Sequence, residues 1–577
     1  MNTPSRLAAA LSLAALLLTT APAGAASKPG SFGAFMAGEQ ALGELRTGDS
    51  VKFFRDAIAA ESDNPVVLQR AFVAFATNGE IDLAANTAQK LLTFDPTNQM
   101  ARVVVGTDAL KQRRYPAAVS VLETLGADSF EAITGVIVKA WALTAQGKLD
   151  EAYAQLDVVS RGGLEDFLLF HRAVMASVAG KPDLAVEYIT QAHDIDPLSP
   201  DVVEAYARIL ANADRFDEAK AAIATYEAQG LSHPLVEAVK ADLDAGRRPT
   251  PLASTPQQGA AAMFYAIGIA FAREESNDVA MVFLRLGRYL DPSADLITFG
   301  IGQLYDGAGQ HDAANILYET IPDNSPIKGM ATVRIAGNLD AIGDRPEAIS
   351  RLREIIGEHP DDLDAISVLG DLLRADKQYL PAADAYTQAL ATTGGTTPGD
   401  WRFYYVRGIA YERGGEWPKA EADFRRALEL RPDQPSVLNY LGYSWVDQGM
   451  NLDEALKLIE KAVAASPRDG YIIDSLGWAY YRLGRYDEAV VELEKAAILK
   501  PTDPEINDHL GDAYWKVGRK LEAKFQWRVA TAVDEEGDVK KRAAPKLANG
   551  LDAVPVTAES APIVEQGAPE RPAWTIF

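Results

Sequence analysis

Small and apolar residues recur along this chain in a pattern that repeats about every 34 residues. One small residue marks the same position in eight successive segments: Gly268, Gly302, Ala336, Gly370, Gly408, Gly442, Gly477 and Gly511. About twelve residues further on, an alanine marks a second position: Ala280, Ala314, Ala348, Ala382, Ala420, Ala455, Ala489 and Ala523. Prolines mark the exits, at Pro292, Pro326, Pro360, Pro432, Pro467 and Pro501. The pattern predicts two antiparallel helices per segment, which approach closely at the small residues and turn at the proline.

The first half of the chain carries a weaker form of the same repeat. Alanines with the same spacing stand at Ala84, Ala118, Ala152, Ala185 and Ala219. Together with one further degenerate segment before them, they predict about six repeats over residues 35–245. Eight regular repeats follow over residues 259–534.

One of the best-preserved copies lies at residues 471–501. Its marker residues are Leu476-Gly477, Tyr480, Ala489, Leu493, Ala496 and Pro501. At this period they resemble the tetratricopeptide repeat (TPR) family. The resemblance implies an all-α fold, a TPR α-solenoid that winds antiparallel helix pairs into a right-handed superhelix, with about 14 repeats in two halves. It also implies that the first helix of each pair lines a concave groove.

Two segments interrupt the repeats. A single unpaired helix, predicted at about Pro234–Ala245, precedes residues 246–258, which are rich in Pro, Ser and Gln and predict a linker. The composition leaves open whether this linker is a hinge or an ordered loop that lies across the groove. Residues 535–577 predict a short capping segment followed by a disordered tail. Because the tail ends in Trp574 and Phe577, docking of the tail on the chain's own groove is an alternative.

The resemblance places the groove-facing positions six and three residues before the marker glycine and one and four residues after it. In the last three repeats these positions combine aromatic and acidic side chains. The candidate partner-binding residues are Asn439, Tyr443, Tyr471, Asp474, Trp478, Tyr481, Asp508, Asp512 and Trp515. Aromatic side chains offer a large contact area at low entropic cost, and carboxylates attract cations. We therefore expect partner segments that are apolar or basic.

The first residues of the chain have the layout of a secretory signal peptide. Arg6 provides a positive charge, Leu7–Leu18 is apolar, and Ala23-Gly24-Ala25 offers a cleavage site after residue 25. This layout predicts a periplasmic or secreted protein with no transmembrane segment in the mature chain. An uncleaved segment that anchors the chain in the inner membrane is the alternative.

Composition narrows the function classes. The 577 residues carry a net charge of −25, which argues against nucleic acid and against anionic lipid as partners. The chain has no cysteine, so it has no disulfide and no thiolate metal site. Its six histidines lack ligand spacing, and no phosphate-binding loop or nucleophile elbow occurs. We therefore predict no cofactor, no metal and no enzymatic activity.

The last two repeats suggest a narrower function. "DSLGWAYYRLGRYDEA" and "INDHLGDAYWKVGRKLEAKFQW" resemble the carboxy-terminal repeats of proteobacterial envelope TPR proteins. That group includes lipoproteins that bring substrates to a periplasmic carboxyl-terminal processing protease, although this chain lacks the lipidated cysteine of those proteins. The resemblance implies a non-enzymatic scaffold or adaptor that binds envelope proteins. The alternative is a glycan-binding or export-assembly factor that uses the same aromatic groove. Whether the chain is a monomer or a homodimer stays open.

Overall fold

The computed structural model describes residues 31–123, 129–159, 163–535 and 537–553. Within these residues every regular element is helical, with 30 α-helices and two short 3-10 helices. The predicted all-α repeat fold is confirmed. The predicted signal peptide and residues 554–577 of the predicted tail lie outside the described residues.

The chain forms two compact units, which divide between Arg351 and Leu352. The first unit contains eighteen complete helices: α1 (Ser31–Gly43), α2 (Thr47–Ala60), α3 (Pro65–Asn78), α4 (Ile81–Leu91), α5 (Gln99–Lys111), α6 (Tyr115–Val121), α7 (Phe130–Thr144), α8 (Leu149–Asp157), α9 (Glu165–Val178), α10 (Pro182–Ile195), α11 (Pro200–Asn212), α12 (Phe216–Glu227), α13 (Pro234–Asp244), α14 (Pro256–Arg273), α15 (Asn277–Leu290), α16 (Asp295–Gly307), α17 (His311–Glu319) and α18 (Lys328–Ala341).

The boundary falls inside the next helix, α19 (Arg345–Glu358). The second unit continues with α20 (Leu363–Ala375), α21 (Tyr379–Thr393), α22 (Trp401–Arg413), α23 (Trp417–Leu430), α24 (Pro435–Asp447), α25 (Leu452–Ala465), α26 (Gly470–Arg482), α27 (Tyr486–Leu499), α28 (Pro504–Lys516), α29 (Lys520–Val533) and α30 (Asp538–Asn549). The 3-10 helices Pro398–Asp400 and Leu551–Ala553 precede α22 and follow α30.

The marker glycines lie where the two helices of a pair touch. A Cβ atom added at Gly302, Gly370 or Gly511 would lie 2.4–2.5 Å from an aromatic ring of the second helix, that of Tyr318, Tyr386 or Trp527 respectively. The marker alanines of the second helices, Ala280 and Ala489 among them, are fully buried. The close approach predicted at the small residues is therefore present, and large side chains fill the space around it.

In the first unit, two later helices of the chain pack on the first helices of the amino-terminal repeats. Helix α15 contacts α3 and α5, and α14 contacts α7 and α9. The rings of Phe130 and Phe271 meet edge to face at a centroid distance of 5.1 Å. The side chain of Arg285 donates to the Thr77 carbonyl at 3.1 Å. Helices α14 and α15 thus cover the surface of these first helices, which the repeat pattern predicts to be available for a ligand.

The predicted linker is an ordered segment of the first unit. The Arg208 guanidinium donates to the Thr250 carbonyl at 2.9 Å, and the Asn212 amide donates to the Pro249 carbonyl at 3.0 Å. Both donors belong to α11, so residues 249–250 are tied to that helix. The single helix expected before the linker is α13, which packs on α11 and α12. The compact units divide at residue 351, well after this segment.

Candidate binding surface

The nine candidate residues lie on three successive first helices, α24, α26 and α28, which contact one another in that order. Carboxylates start two of these helices. Asp469 accepts hydrogen bonds from the amides of Tyr471 and Ile472, and Asp503 does the same at the start of α28. These caps satisfy amide groups that a helix start leaves unpaired, and so set the register of the side chains that follow.

Two aromatic candidates of α26, Trp478 and Tyr481, pack together instead of facing solvent. The indole of Trp478 is stacked on the Tyr481 ring at 4.6 Å and on the His509 ring at 4.0 Å. Trp478 is only 5% exposed and Tyr481 only 1%. Since sugars stack on open aromatic faces, these two rings offer no such face in this arrangement, and no observation here favours the glycan alternative.

His509 joins α28 to α26 through a buried ion pair. Its Nδ1 lies 3.1 Å from the Asp474 carboxylate, and its Nε2 lies 3.3 Å from that of Glu505. Burial alone lowers the pKa of His509, but the facing carboxylates, Asp474 first, outweigh burial and raise the pKa to about 10. The imidazolium is therefore charged at neutral pH. Sequence reasoning passed over His509, although it stands one repeat after Asp474, in nearly the same register.

The acidic candidates of α28 are paired with cations of α30. The Lys546 ammonium donates to Asp508 at 2.9 Å and to Asp512 at 2.7 Å. The Arg542 guanidinium lies 2.7 Å from Asp508 and 2.7 Å from Glu505. Burial opposes the charge of Lys546, but the two aspartates outweigh it and raise the pKa of the ammonium. The chain itself thus supplies the basic segment that these carboxylates were predicted to attract.

The remaining candidates differ in exposure. Trp515 is half-buried, and its indole donates to the Asp552 carboxylate at 2.9 Å. Asn439 and Tyr443 are half-buried as well, and within the described residues the Asn439 Oδ1 has no hydrogen-bond partner. Tyr471 is 47% exposed and lies beside Lys500 at a turn, apart from the others. Asp474, Trp478, Tyr481, Asp508 and Asp512 are all buried, so in this arrangement they contact the chain itself. Their contact with a partner stays a prediction.

An open surface lies instead on the second helix of the last repeat. Leu521 is 81% exposed and Phe525 is 62% exposed, and Lys524 and Arg528 are exposed beside them. We call these four residues the α29 stripe. Their spacing places them on one face of the helix, and the opposite face buries Ala523, Trp527 and Ala530. Within the described part of the chain, neither Lys524 nor Arg528 forms an ion pair.

Sequence reasoning missed the α29 stripe because it examined only the first helix of each repeat. The sequence does contain a signal for this stripe. The helix carries apolar residues on both of its faces, whereas the repeat core requires them on only one face.

Neither a metal nor a membrane-spanning helix is indicated in the described residues. They contain no group of three or more His, Cys, Asp or Glu side chains that could hold a metal ion. None of the described helices is both long enough and apolar enough to cross a bilayer.

Family models match in the regions where the structure has its helix pairs. A tetratricopeptide repeat model matches residues 336–396, 369–435 and 405–470, and a second one matches residues 179–243. A third model, described as a TPR repeat, matches residues 477–518. The chain is a TPR protein. Such repeats indicate a protein–protein interaction scaffold, and proteins of this fold are typically non-catalytic. The absence of enzymatic activity itself stays a prediction.

Individual relatives are similar to this chain to different extents. A TPR repeat-containing protein of Pseudomonas aeruginosa is 30% identical over 195 residues. The match covers 33% of this TPR protein and 32% of that relative, so it spans about a third of the relative's length. Among solved structures, a tetratricopeptide repeat protein from Parabacteroides merdae is 16% identical, with a TM-score of 0.39, over 45% of this chain and all of that one. Yeast Tom70 is 13% identical, with a TM-score of 0.36, over 90% of this chain and 95% of that one.

Proposed function

We propose that this TPR protein is a scaffold of the bacterial cell envelope that brings partner proteins to a periplasmic carboxyl-terminal processing protease. The signal-peptide layout of residues 1–25 supports the location. The resemblance of the last two repeats to envelope TPR proteins supports the adaptor role. An adaptor of this kind holds two proteins at once, so it needs more than one contact surface.

The observation that carries the proposal is the α29 stripe. Its two large apolar side chains are exposed at neighbouring positions, where a monomer in water gains nothing from them. Outward-facing apolar residues next to unpaired cations are typical of protein contact surfaces, where the apolar groups supply affinity and the charges supply selectivity.

The chemistry of the stripe specifies the partner. Leu521 and Phe525 would bury apolar side chains of the partner, and Lys524 and Arg528 would pair with its carboxylates. We therefore assign the stripe to a protein segment that carries apolar and acidic residues together. A purely basic segment would leave these two cations unpaired and repelled.

The test compares capture of envelope proteins by three forms of the full chain. The first is the parent and the second is Leu521→Ser with Phe525→Ser, which replaces exposed side chains and should not unfold the repeat. The third is the control Ile316→Ser, which removes an equally exposed apolar side chain (67%) on α17. We expect a partner that the parent and the control retain and that the stripe variant loses.

A captured protein supports the proposal only if two further conditions hold. Lys524→Glu with Arg528→Glu must also abolish its retention, and the purified parent must accelerate its cleavage by the processing protease. Equal capture by all forms would contradict the role of the stripe. A shift of the stripe variant from dimer to monomer in light scattering would assign the surface to self-association instead.

A further inference from the structure

Helix α30 lies on the surface that the repeat family uses for ligands. The side chains beneath it include Glu505, Asp508 and Asp512, which stand six and three residues before the marker glycine of the last repeat and one residue after it. A helix that only closed the end of the repeat array would need to cover apolar side chains. Helix α30 does this with Val539 and Ala543, but it also brings two cations to carboxylates at these positions.

The contacts of α30 combine ion pairs with a small apolar contact. Val539 and Ala543 are its buried apolar residues and join the core of the last repeats, and Leu547 packs beside them. The ammonium of Lys546 is buried between two carboxylates. Buried ion pairs add little net stability, because each charge also loses its hydration. Glycines with a positive φ flank the helix, Gly537 at φ 86° and Gly550 at φ 83°. Helix α30 is thus a separate element between its own turns, held by these ion pairs and by a small apolar contact.

We propose that α30 is the resident occupant of a helix-binding site, and that a basic helix of a partner protein takes its place. The pattern of α30 specifies this helix: two cations four residues apart, as Arg542 and Lys546 are, and a small residue at the position of Ala543, which is fully buried. The inference rests on the proposed function, because it assumes that a partner protein binds these repeats.

The charges under α30 restrict what can replace it. A neutral or acidic helix would leave Asp508 and Asp512 buried without a cation, which is strongly unfavourable. A single lysine on an extended segment would not reach both the Glu505–Asp508 pair and the Asp508–Asp512 pair. The site therefore selects a helix that is cationic on one face, a chemistry opposite to that of the segment assigned to the α29 stripe.

The test uses a fluorescent peptide with the sequence of residues 537–550 and the full chain. In the parent, α30 occupies the site, so the site is free in only a small fraction of the chains. The apparent affinity for the peptide is therefore low. Arg542→Glu with Lys546→Glu should expel α30 and tighten peptide binding about tenfold or more in fluorescence polarisation. Adding Asp508→Asn and Asp512→Asn should abolish the binding.

Two controls separate displacement from unfolding. Lys541→Glu alters an exposed cation whose ion pair, within the described residues, is with Asp538 of the same helix, so it should leave peptide binding as weak as in the parent. In the unaltered parent, excess unlabelled peptide should speed hydrogen exchange of the α30 amides while those of α28 stay protected. Unchanged exchange in α30, or unchanged peptide affinity in a folded Arg542→Glu, Lys546→Glu chain, would overturn the proposal.

Failure of this test and failure of the proposed function can be told apart. The stripe variant Leu521→Ser, Phe525→Ser should bind the peptide as the parent does, because the stripe lies on the exposed face of α29. Equal capture of envelope proteins by the parent and the stripe variant, with peptide binding retained in both, would therefore contradict the scaffold proposal and leave the helix-binding site standing.

Discussion

At the residue scale, the fold depends on how closely two helices can approach at single positions. The contact between Gly259 of α14 and the fully buried Trp141 of α7 is the tightest of these. A Cβ atom at residue 259 would lie 2.1 Å from the indole, far inside van der Waals contact. Position 259 therefore admits only glycine as long as α14 stays packed on the amino-terminal repeats.

We predict that Gly259→Ala destabilises the first unit by about 1–3 kcal/mol, the usual effect of overpacking a filled core. The control is Gly337→Ala in α18, where no atom lies within 4 Å of the added Cβ. In an exposed helix interior that change should be neutral or should stabilise by roughly 0.5–1 kcal/mol. Urea unfolding followed by circular dichroism measures both. Equal midpoints for the two variants would show that α14 does not pack on Trp141.

His509 predicts a second effect, on the pH dependence of stability. Its pKa in the folded chain is about 10, above the value of 6.5 expected for an unperturbed histidine. The folded state therefore keeps a proton that the unfolded state releases. The stabilisation by the charged His509 is complete below about pH 6.5 and disappears as the pH rises through about 10.

The free energy of unfolding of the second unit should thus fall by up to about 1.4 kcal/mol per pH unit between about pH 7 and pH 9. In His509→Asn this slope should vanish, and the variant should be less stable at neutral pH because the buried Asp474 loses its cation, whereas Glu505 keeps Arg542. The control His359→Asn replaces an exposed histidine and should keep the parent slope. Identical slopes in all three chains would mean that His509 is not an ion-pair partner.

At the element scale, the helix pairs follow from the sequence, but the helices that cover their inner surfaces do not. The marker residues Gly477 and Ala489 predict a close contact between the two helices of their own repeat, and that contact is present. Helices α14 and α15, in contrast, pack on helices that lie several repeats earlier in the chain. No local period encodes such a contact, because it depends on the path of the whole array.

The segment at 246–258 provides an element-scale prediction. Its backbone is tied to α11 by Arg208 and Asn212, so it should resist trypsin even though Arg247 is exposed. Arg208→Ala with Asn212→Ala should speed cleavage after Arg247 several-fold, since local opening admits the protease. Arg215→Ala, which removes an arginine paired with Glu218, is the matched control. Rapid cleavage of the parent at this site would instead identify the segment as a hinge.

The candidate site shows the same division between what was predictable and what was not. The repeat pattern places Asp508 and Asp512 on one surface, because their position in the repeat is fixed, and the structure pairs both with a cation of the chain itself. That Lys546 of the same chain satisfies both could not be read from the pattern, since α30 lies outside the repeats. Leu521 and Phe525 were predictable in principle, as apolar residues on the face of α29 that the core does not use.

At the scale of the whole molecule, segments of the chain itself cover the first helices of several repeats. Such a scaffold must bind its partners on other surfaces, or it must release a covering segment so that a partner takes the place of that segment. In the first unit, α14 and α15 cover the first helices of the amino-terminal repeats. In the second unit, α30 covers α28, and the α29 stripe stays open. The chain carries a net charge of −25, whereas the stripe carries the two positive charges of Lys524 and Arg528. The stripe would therefore select an acidic partner segment.

The most direct measurement is site-specific photo-crosslinking in living cells, with a photoreactive amino acid at position 525, 471 or 316 of the full chain. All three residues are exposed, at 62%, 47% and 67%, so the substitution should leave the fold intact at each of them. The account predicts a discrete adduct with an envelope protein from position 525 and none from positions 471 and 316. Adducts from position 471 or 316 without one from position 525 would contradict it.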